Sequence, residues 1–143
     1  MDNALVNCVF CGLLESGSAT WLSRGPHAAA FLPLPASALA PGHTLVVPRE
    51  HCTGVLDATD AALHHTISLV RRVGDAMTRA LGATGVNVLN ASGPGSGQSV
   101  AHLHFHVVPR WPDDGTDLWP DRRSSHPATG DEHQRLARAL NNP

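Results

Sequence analysis

The sequence has 143 residues, of which 42% are hydrophobic, and a formal net charge of −2. This length is enough for one domain with a single buried core, so we predict one domain over residues 1–143. The small net charge provides no overall attraction to nucleic acid, which we therefore exclude as a partner. Any phosphate recognition has to be local.

Nothing in the sequence predicts export or membrane insertion. The N-terminus lacks the basic start and apolar centre of a signal peptide. The most apolar stretch, residues 28–45, is interrupted by Pro33, Pro35 and Pro41, which argues against a membrane-spanning helix. Three cysteines, an odd number, argue against a disulfide framework. We expect a cytoplasmic protein without a membrane partner.

The first half of the chain predicts three strands. Residues 19–23 and 27–32 are typical of the two strands of a hairpin, because a Gly-Pro turn separates them. Prolines punctuate residues 33–41, which we assign to a connection since proline cannot donate to a sheet ladder. Residues 42–48 predict the third strand, with His43 at its start.

A long helix and two further strands follow. The helix is predicted over about residues 61–81, where apolar residues recur at intervals of three and four, and the strands over 86–89 and 102–109. This order indicates an α+β fold with a mainly antiparallel sheet. The predicted apolar stripe of the helix consists of Leu63, Ile67, Val70, Val73 and Met77.

Residues 112–143 form a predicted C-terminal tail beyond a core of about residues 8–111. The Trp, Pro, Asp and Ser content of this tail indicates irregular surface structure. Residues 130–142 predict a short final helix, with Leu136 and Leu140 as its docking face.

Histidine alternates with apolar residues at His102, His104 and His106. Successive side chains of a strand point to opposite faces, so we expect these three imidazoles on one face, about 6.6 Å apart. An isolated histidine is usually a surface or satisfied core residue, whereas three on one face need three partners. The pattern favours a functional site, because imidazole suits metal binding, nucleophilic attack and proton transfer.

A glycine-rich loop precedes the three histidines. Gly93, Gly95 and Gly97 allow backbone N–H groups to converge on an anion, and Gln98 and Ser99 add polar donors. A flexible hairpin loop would explain the glycines alone, but the histidines that follow favour a phosphate cradle. The loop lacks the Gly-Lys-Ser/Thr of a nucleotide P-loop and leads into a strand.

Two kinds of metal site are compatible with the sequence. The alternating histidines could bind a catalytic metal, which would require a carboxylate; the nearest, Asp113 and Asp114, lie in an irregular stretch. Cys8 and Cys11 form a CxxC pair, which occurs in redox couples, in zinc sites and by coincidence. His51 and one of the three alternating histidines would complete a tetrahedral structural zinc site.

Three segments resemble the histidine triad (HIT) superfamily of nucleotide-binding hydrolases and transferases. They are residues 41–48 (Pro-Gly-His-Thr-Leu-Val-Val-Pro), residues 49–51 (Arg-Glu-His) and residues 97–110 (Gly-Gln-Ser-Val-Ala-His-Leu-His-Phe-His-Val-Val-Pro-Arg). The two cysteines of the CxxC pair and His51 are similar to those of zinc-containing bacterial members. The resemblance implies a five-stranded antiparallel sheet with one long and one short helix, a structural zinc ion and a homodimer.

The resemblance also implies a role for each site residue. His104 would attack an α-phosphorus, His106 would contact the phosphate oxygens, and His43 would orient His104 through its other nitrogen. The zinc ligands would be Cys8, Cys11, His51 and His102. The phosphate oxygens would be held by Asn90, Gly97, Gln98 and Ser99.

The implied reaction cleaves phosphorus–nitrogen or phosphoric anhydride bonds at the α-phosphate of nucleoside phosphoramidates or dinucleoside polyphosphates, through a covalent nucleotidyl-histidine. The expected substrate is a nucleotide with a purine base. An alternative is a nucleotide-binding regulatory module with negligible turnover, because Pro35 stands where many members carry a ribose-binding acid. The tail residues that could contact the leaving group or distal phosphates, or pack over the core, are Trp111, Trp119, Arg122 and Arg123.

Overall fold

A computed structural model describes residues 7–143, which form five strands and three α-helices. The strands make one fully antiparallel sheet in the order β1-β2-β3-β5-β4. This architecture confirms the predicted α+β fold. The strands are β1 (Thr20–Arg24), β2 (Ala28–Leu32), β3 (Thr44–Pro48), β4 (Gly85–Leu89) and β5 (Phe105–Arg110).

The helices include one that periodicity does not predict. Helix α1 (Val9–Ser16) begins at Cys8, whose Sγ accepts the N–H of Cys11, and it ends at Gly17 in the left-handed conformation. Helices α2 (Asp60–Leu81) and α3 (Glu132–Asn141) correspond to the two that are predicted. Within residues 7–143 no helix is long and apolar enough to cross a membrane.

Both faces of the sheet are covered. Helix α2 packs on one face, and helix α1 packs on the other. Leu45 of β3 pairs with His106 of β5 and belongs to the core beneath α1, so His106 lies on the α1 side of the sheet. The buried residues on this side are Phe10, Leu14, Ala29, Phe31, Leu45 and Val47.

The predicted stripe of α2 is wrong at one position. Ile67 is 46% exposed, whereas Thr66 and Leu69 are buried. Thr66 can be buried because its hydroxyl donates to the carbonyl of Ala62 within the helix, at 2.6 Å, which satisfies its polar group. A prediction from apolar residues alone assigns threonine to the surface. It therefore selects Ile67 for the buried face in place of Thr66.

The residue that precedes the C-terminal tail is anchored on the domain. Trp111 packs against the core beneath α2, and its indole N–H donates to the carbonyl of Leu81 at 3.1 Å. The predicted docking face of α3 is wrong, because Leu136 and Leu140 are exposed. Two leucines one turn apart bury too little apolar area to offset the entropy lost when a helix docks.

A pair of substitutions tests which face of α2 is buried. Leu69→Ala removes a buried side chain and should lower the free energy of unfolding by about 2–5 kcal/mol. Ile67→Ala, at a half-exposed position, should cost less than about 1 kcal/mol. Urea unfolding of the two variants measures both values. Equal losses would place Ile67 in the core and contradict the observed face.

Candidate functional site

Four side chains that are distant in sequence converge beside the N-terminus of α1. The Sγ atoms of Cys8 and Cys11 and the Nδ1 atoms of His51 and His102 all lie within 4.8 Å of one another. His102 Nδ1 is 3.4 Å from Cys8 Sγ and 3.5 Å from Cys11 Sγ. His51 Nδ1 is 3.3 Å from Cys11 Sγ and 3.2 Å from His102 Nδ1. These four residues could therefore bind a metal ion.

The donor atoms fit a tetrahedral ion. Zinc bonds of about 2.3 Å to sulfur and about 2.0–2.1 Å to nitrogen place neighbouring ligand atoms about 3.3–3.8 Å apart. His102 is fully buried, and its Nε2–H donates to the carbonyl of Pro48 at 2.8 Å. That bond fixes the tautomer in which Nδ1 is unprotonated and faces the cluster, as metal ligation requires.

A second group, which consists of His43, His104 and His106, adjoins the cysteine–histidine cluster. The N–H of Leu39 donates to Nδ1 of His43 at 3.0 Å, which leaves the proton of His43 on Nε2. His43 Nε2–H then donates to Nδ1 of His106 at 3.0 Å. His106 consequently carries its own proton on Nε2. The predicted contact of His43 is thus corrected: it orients His106 and not His104.

His104 is oriented by the backbone. Its Nδ1–H donates to the carbonyl oxygen of His102 at 2.8 Å, so the lone pair is on Nε2. The ring is buried and lies 5.0 Å from the ring of His106, centroid to centroid. This orientation leaves Nε2 without a hydrogen-bond partner on the backbone of residues 7–143 and places it beside the ring of His106, as an imidazole nucleophile requires.

The three alternating histidines do not share one strand, which corrects the prediction. Strand β5 begins at Phe105, so His102 and His104 lie in the irregular segment before it. Other groups replace the ladder partners there. The N–H of Leu103 donates to the carbonyl of Cys52 at 2.8 Å, and the amide of Asn90 donates to the carbonyl of His104 at 2.9 Å. The three imidazoles nevertheless lie on one face, as predicted: Phe10 of α1 contacts His102 and His104, and the intervening Leu103 and Phe105 are buried beneath α2.

Burial keeps His43 and His106 neutral. Burial, together with the smaller effects of the neighbouring His104 and His43, lowers the pKa of His106 to about 4. Burial also lowers the pKa of His43. Both imidazoles are therefore uncharged near pH 7, and the His43–His106 hydrogen bond keeps its single proton.

The glycine-rich loop is braced by Gln98. Its Oε1 accepts the N–H of Gly93 at 2.9 Å, and its Nε2 donates to the carbonyls of Thr53 and Val100 at 2.6 and 2.9 Å. Gly93, Gly95 and Gly97 have φ values of 93°, 78° and 90°, which only glycine adopts without strain. Gln98 thus holds the loop in shape, whereas Ser99 is exposed at the loop's end.

Asn90 also acts through the backbone. Its Nδ2 donates to the carbonyl of His104, and its Oδ1 accepts the hydroxyl of Ser92 at 2.8 Å. Ser92 in turn accepts the N–H of Val55 at 3.0 Å. Sequence reasoning missed Ser92 and the donor at Leu39. Only Ser92 offered a signal, because asparagine and serine are both typical turn residues.

The remaining predicted residues lie elsewhere. Pro35 begins a short 3-10 turn, Pro35–Ser37, and Asp114 is paired with Arg110 at 2.9 Å. Within residues 7–143 the only group of three or more potential metal ligands is the cysteine–histidine cluster, so the structure gives no support to a metal held by all three alternating histidines. Three of the four predicted contact residues at the end of the chain, Trp119, Arg122 and Arg123, are exposed.

Comparison with known proteins identifies relatives along most of the chain. The sequence pattern of the HIT domain matches residues 19–113. An uncharacterized HIT-like protein of Saccharolobus solfataricus is 34% identical over 122 residues, which cover 82% of this chain and 86% of the relative. An adenosine 5'-monophosphoramidase of Schizosaccharomyces pombe is 28% identical over 138 residues, which cover 94% and 96% of the two chains.

Solved structures share the fold. A HIT family protein from Bacillus anthracis superposes with a TM-score of 0.78 at 30% identity, covering 95% of this chain and 96% of that one. A Zn-bound histidine triad family protein from Mycobacterium smegmatis gives a TM-score of 0.72 at 26% identity, with 96% of each chain covered.

The lowered pKa of His106 predicts a loss of stability in acid. Between about pH 6.5 and pH 4 the unfolded chain protonates this histidine and the folded chain does not, so the free energy of unfolding falls as the pH falls. His106→Gln removes the titrating group and should make this decline shallower, as measured by urea unfolding at a series of pH values. His133→Gln, at an exposed position of α3, should keep the wild-type slope. A wild-type slope in His106→Gln would contradict the burial argument.

Proposed function

This chain belongs to the histidine triad (HIT) family, and on that basis we propose that it is a nucleotide hydrolase or nucleotidyl transferase. Its substrate is a nucleoside phosphoramidate or a dinucleoside polyphosphate, cleaved at the α-phosphate. The observation that carries the proposal is the orientation of His104, whose Nδ1–H is bonded to the His102 carbonyl so that Nε2 is free.

The proposed reaction has two steps. His104 Nε2 attacks the α-phosphorus, the bond from phosphorus to the leaving nitrogen or oxygen breaks, and an amine leaves with a proton from water. Water then cleaves the nucleotidyl-histidine, which releases the nucleotide, a proton and neutral His104. His106 Nε2–H donates to a phosphate oxygen, where charge accumulates in both transition states.

The loop supplies the rest of the phosphate site. We assign direct phosphate contacts to the backbone of Gly97 and the hydroxyl of Ser99, because both are exposed at the loop. Gln98 and Asn90 act indirectly, since their amides hold the loop and the His104 backbone. This division refines the roles that the family resemblance implied for these four residues.

The metal of the cysteine–histidine cluster is proposed to be zinc with a structural role. Two thiolates and two imidazoles are a donor set that zinc prefers, and four protein ligands complete its tetrahedron. Bound zinc would join α1 to the segment that carries His104, because Cys8 and Cys11 belong to the first and His102 to the second.

An alternative function is a regulatory module that binds nucleotide with negligible turnover. Pro35 favours it, since residues 28–48 contain no carboxylate that could bind ribose hydroxyls.

A purine preference and homodimer assembly stay predictions from the family resemblance. The half-exposed Val86 and Val88 on edge strand β4 offer an apolar surface for such assembly.

A substrate panel tests the proposed reaction. The wild-type protein should cleave adenosine phosphoramidate or a diadenosine polyphosphate, and His104→Ala should reduce the rate by at least about a thousandfold, because it removes the nucleophile. Circular dichroism should show an unchanged fold, and His133→Ala should keep full activity. Full activity in His104→Ala would refute the mechanism. Calorimetric binding by the wild type without any product would favour the regulatory module.

Metal analysis tests the zinc site. The purified protein should contain one zinc ion per chain, and Cys8→Ser should lose it, because a structural site needs all four ligands. Cys52→Ala is the matched control: this thiol follows His51 but is buried in the core beneath α2, so zinc should be retained. Retention in Cys8→Ser with loss in His104→Ala would instead support metal binding by the alternating histidines.

A further inference from the structure

The ring of Phe10 contacts both groups of histidines. It meets the ring of His104 edge to face, with centroids 5.2 Å apart and an interplanar angle of 86°. It meets the ring of His102 in the same manner, at 5.9 Å and 73°. A third edge-to-face contact, with Phe31 at 5.5 Å, ties Phe10 to the core beneath α1. With 6% of its surface exposed, Phe10 is a buried link between the two groups.

The position of Phe10 depends on the metal-ligand cluster. Phe10 lies between Cys8 and Cys11, in the first turn of α1. A metal ion bound by both cysteines would therefore hold the backbone on either side of this residue. The other end of α1 is held by Arg24, whose guanidinium donates to the carbonyl of Leu14 at 3.3 Å. Without a bound metal the first turn of α1 would retain only its hydrogen bonds and its apolar contacts.

His104 needs more than its hydrogen bond to keep one orientation. The bond from Nδ1–H to the His102 carbonyl selects a tautomer, but a single bond to the backbone tolerates rotation of the ring about its donor. The rings of Phe10 and His106 limit that rotation, since both lie within 5.2 Å of the His104 centroid at steep angles. The rate of nucleophilic attack is sensitive to the orientation of the ring, because a misplacement of about 1 Å can lower the rate about a hundredfold.

We propose that Phe10 is a positioning residue for His104 and transmits metal binding at Cys8 and Cys11 to the orientation of that imidazole. This inference rests on the proposed function, in which His104 is the nucleophile. It adds a second consequence of metal binding: the ion holds the fold together and also, through the Phe10 ring, orients the imidazole that attacks phosphorus.

A matched pair of substitutions tests the proposal. Phe10→Leu keeps an apolar side chain but removes the ring that contacts His104. Phe31→Leu makes the same change at an equally buried position of the same core, where the ring contacts Phe10 and Trp21. In Phe10→Leu, kcat should fall about tenfold or more, with KM changed less than about threefold and one zinc ion retained. Phe31→Leu should change kcat less than about threefold.

Nuclear magnetic resonance of the histidine side chains provides a readout that is independent of turnover. In the zinc-loaded wild type the ¹⁵N shifts of His104 should report one tautomer, protonated on Nδ1, and removal of zinc by a chelator should give a mixture. Phe10→Leu should show the mixture even when loaded with zinc, whereas loaded Phe31→Leu should match the wild type. Should Phe10→Leu not fold, Phe10→Met fills a similar volume and takes its place.

Three results would overturn the proposal. One is a single His104 tautomer with unchanged kcat in zinc-loaded Phe10→Leu. Another is an equal loss of kcat in Phe31→Leu, which would indicate general loosening of the core. The third is a change confined to KM, which would indicate direct contact between Phe10 and substrate. Absence of turnover in the wild type would reject the proposed function alone, because the tautomer measurement would still decide the role of Phe10.

Discussion

The site depends on His102, which makes three polar contacts in three directions. Its Nδ1 faces the cysteine–histidine cluster, its Nε2–H donates to the carbonyl of Pro48, and its own carbonyl accepts Nδ1–H of His104. One fully buried residue thus sets which nitrogen of its own ring faces the cluster and which nitrogen of the proposed nucleophile, His104, carries the proton. Because these contacts belong to one residue, a displacement of His102 would disturb both the metal-ligand cluster and the proposed phosphate site.

The sheet ends before His104, and other groups take over its hydrogen bonds. The N–H of Leu103 donates to the carbonyl of Cys52, and the amide of Asn90 donates to the carbonyl of His104. The alternation of side chains persists across this change, so the three imidazoles share the α1 side while Leu103 and Phe105 are buried beneath α2. Within β5, His106 lies between its cross-strand neighbours Leu45 and Leu89.

The sequence predicted most of the fold because the strands and α2 carry strong local signals. The hairpin, the strand after His43 and the long helix follow from turn residues, proline placement and apolar periodicity. Helix α1 was not predicted, since its first turn is capped by a cysteine that belongs to the metal-ligand cluster. The partner of His43 was also predicted wrongly. Residue spacing does not reveal that the N–H of Leu39 fixes its tautomer or that Nε2 points to His106.

The hydrogen bonds that run from Leu39 through His43 to His106 have one direction. Each donor points towards the proposed phosphate position, and the series starts at a backbone N–H that cannot accept a proton in return. Leu39 belongs to the proline-rich connection between β2 and β3, for which apolar periodicity predicts no role beyond joining the two strands. The length and path of this connection therefore determine which nitrogen of His106 carries hydrogen. An insertion there would alter the acid–base state of the site even if every histidine were kept.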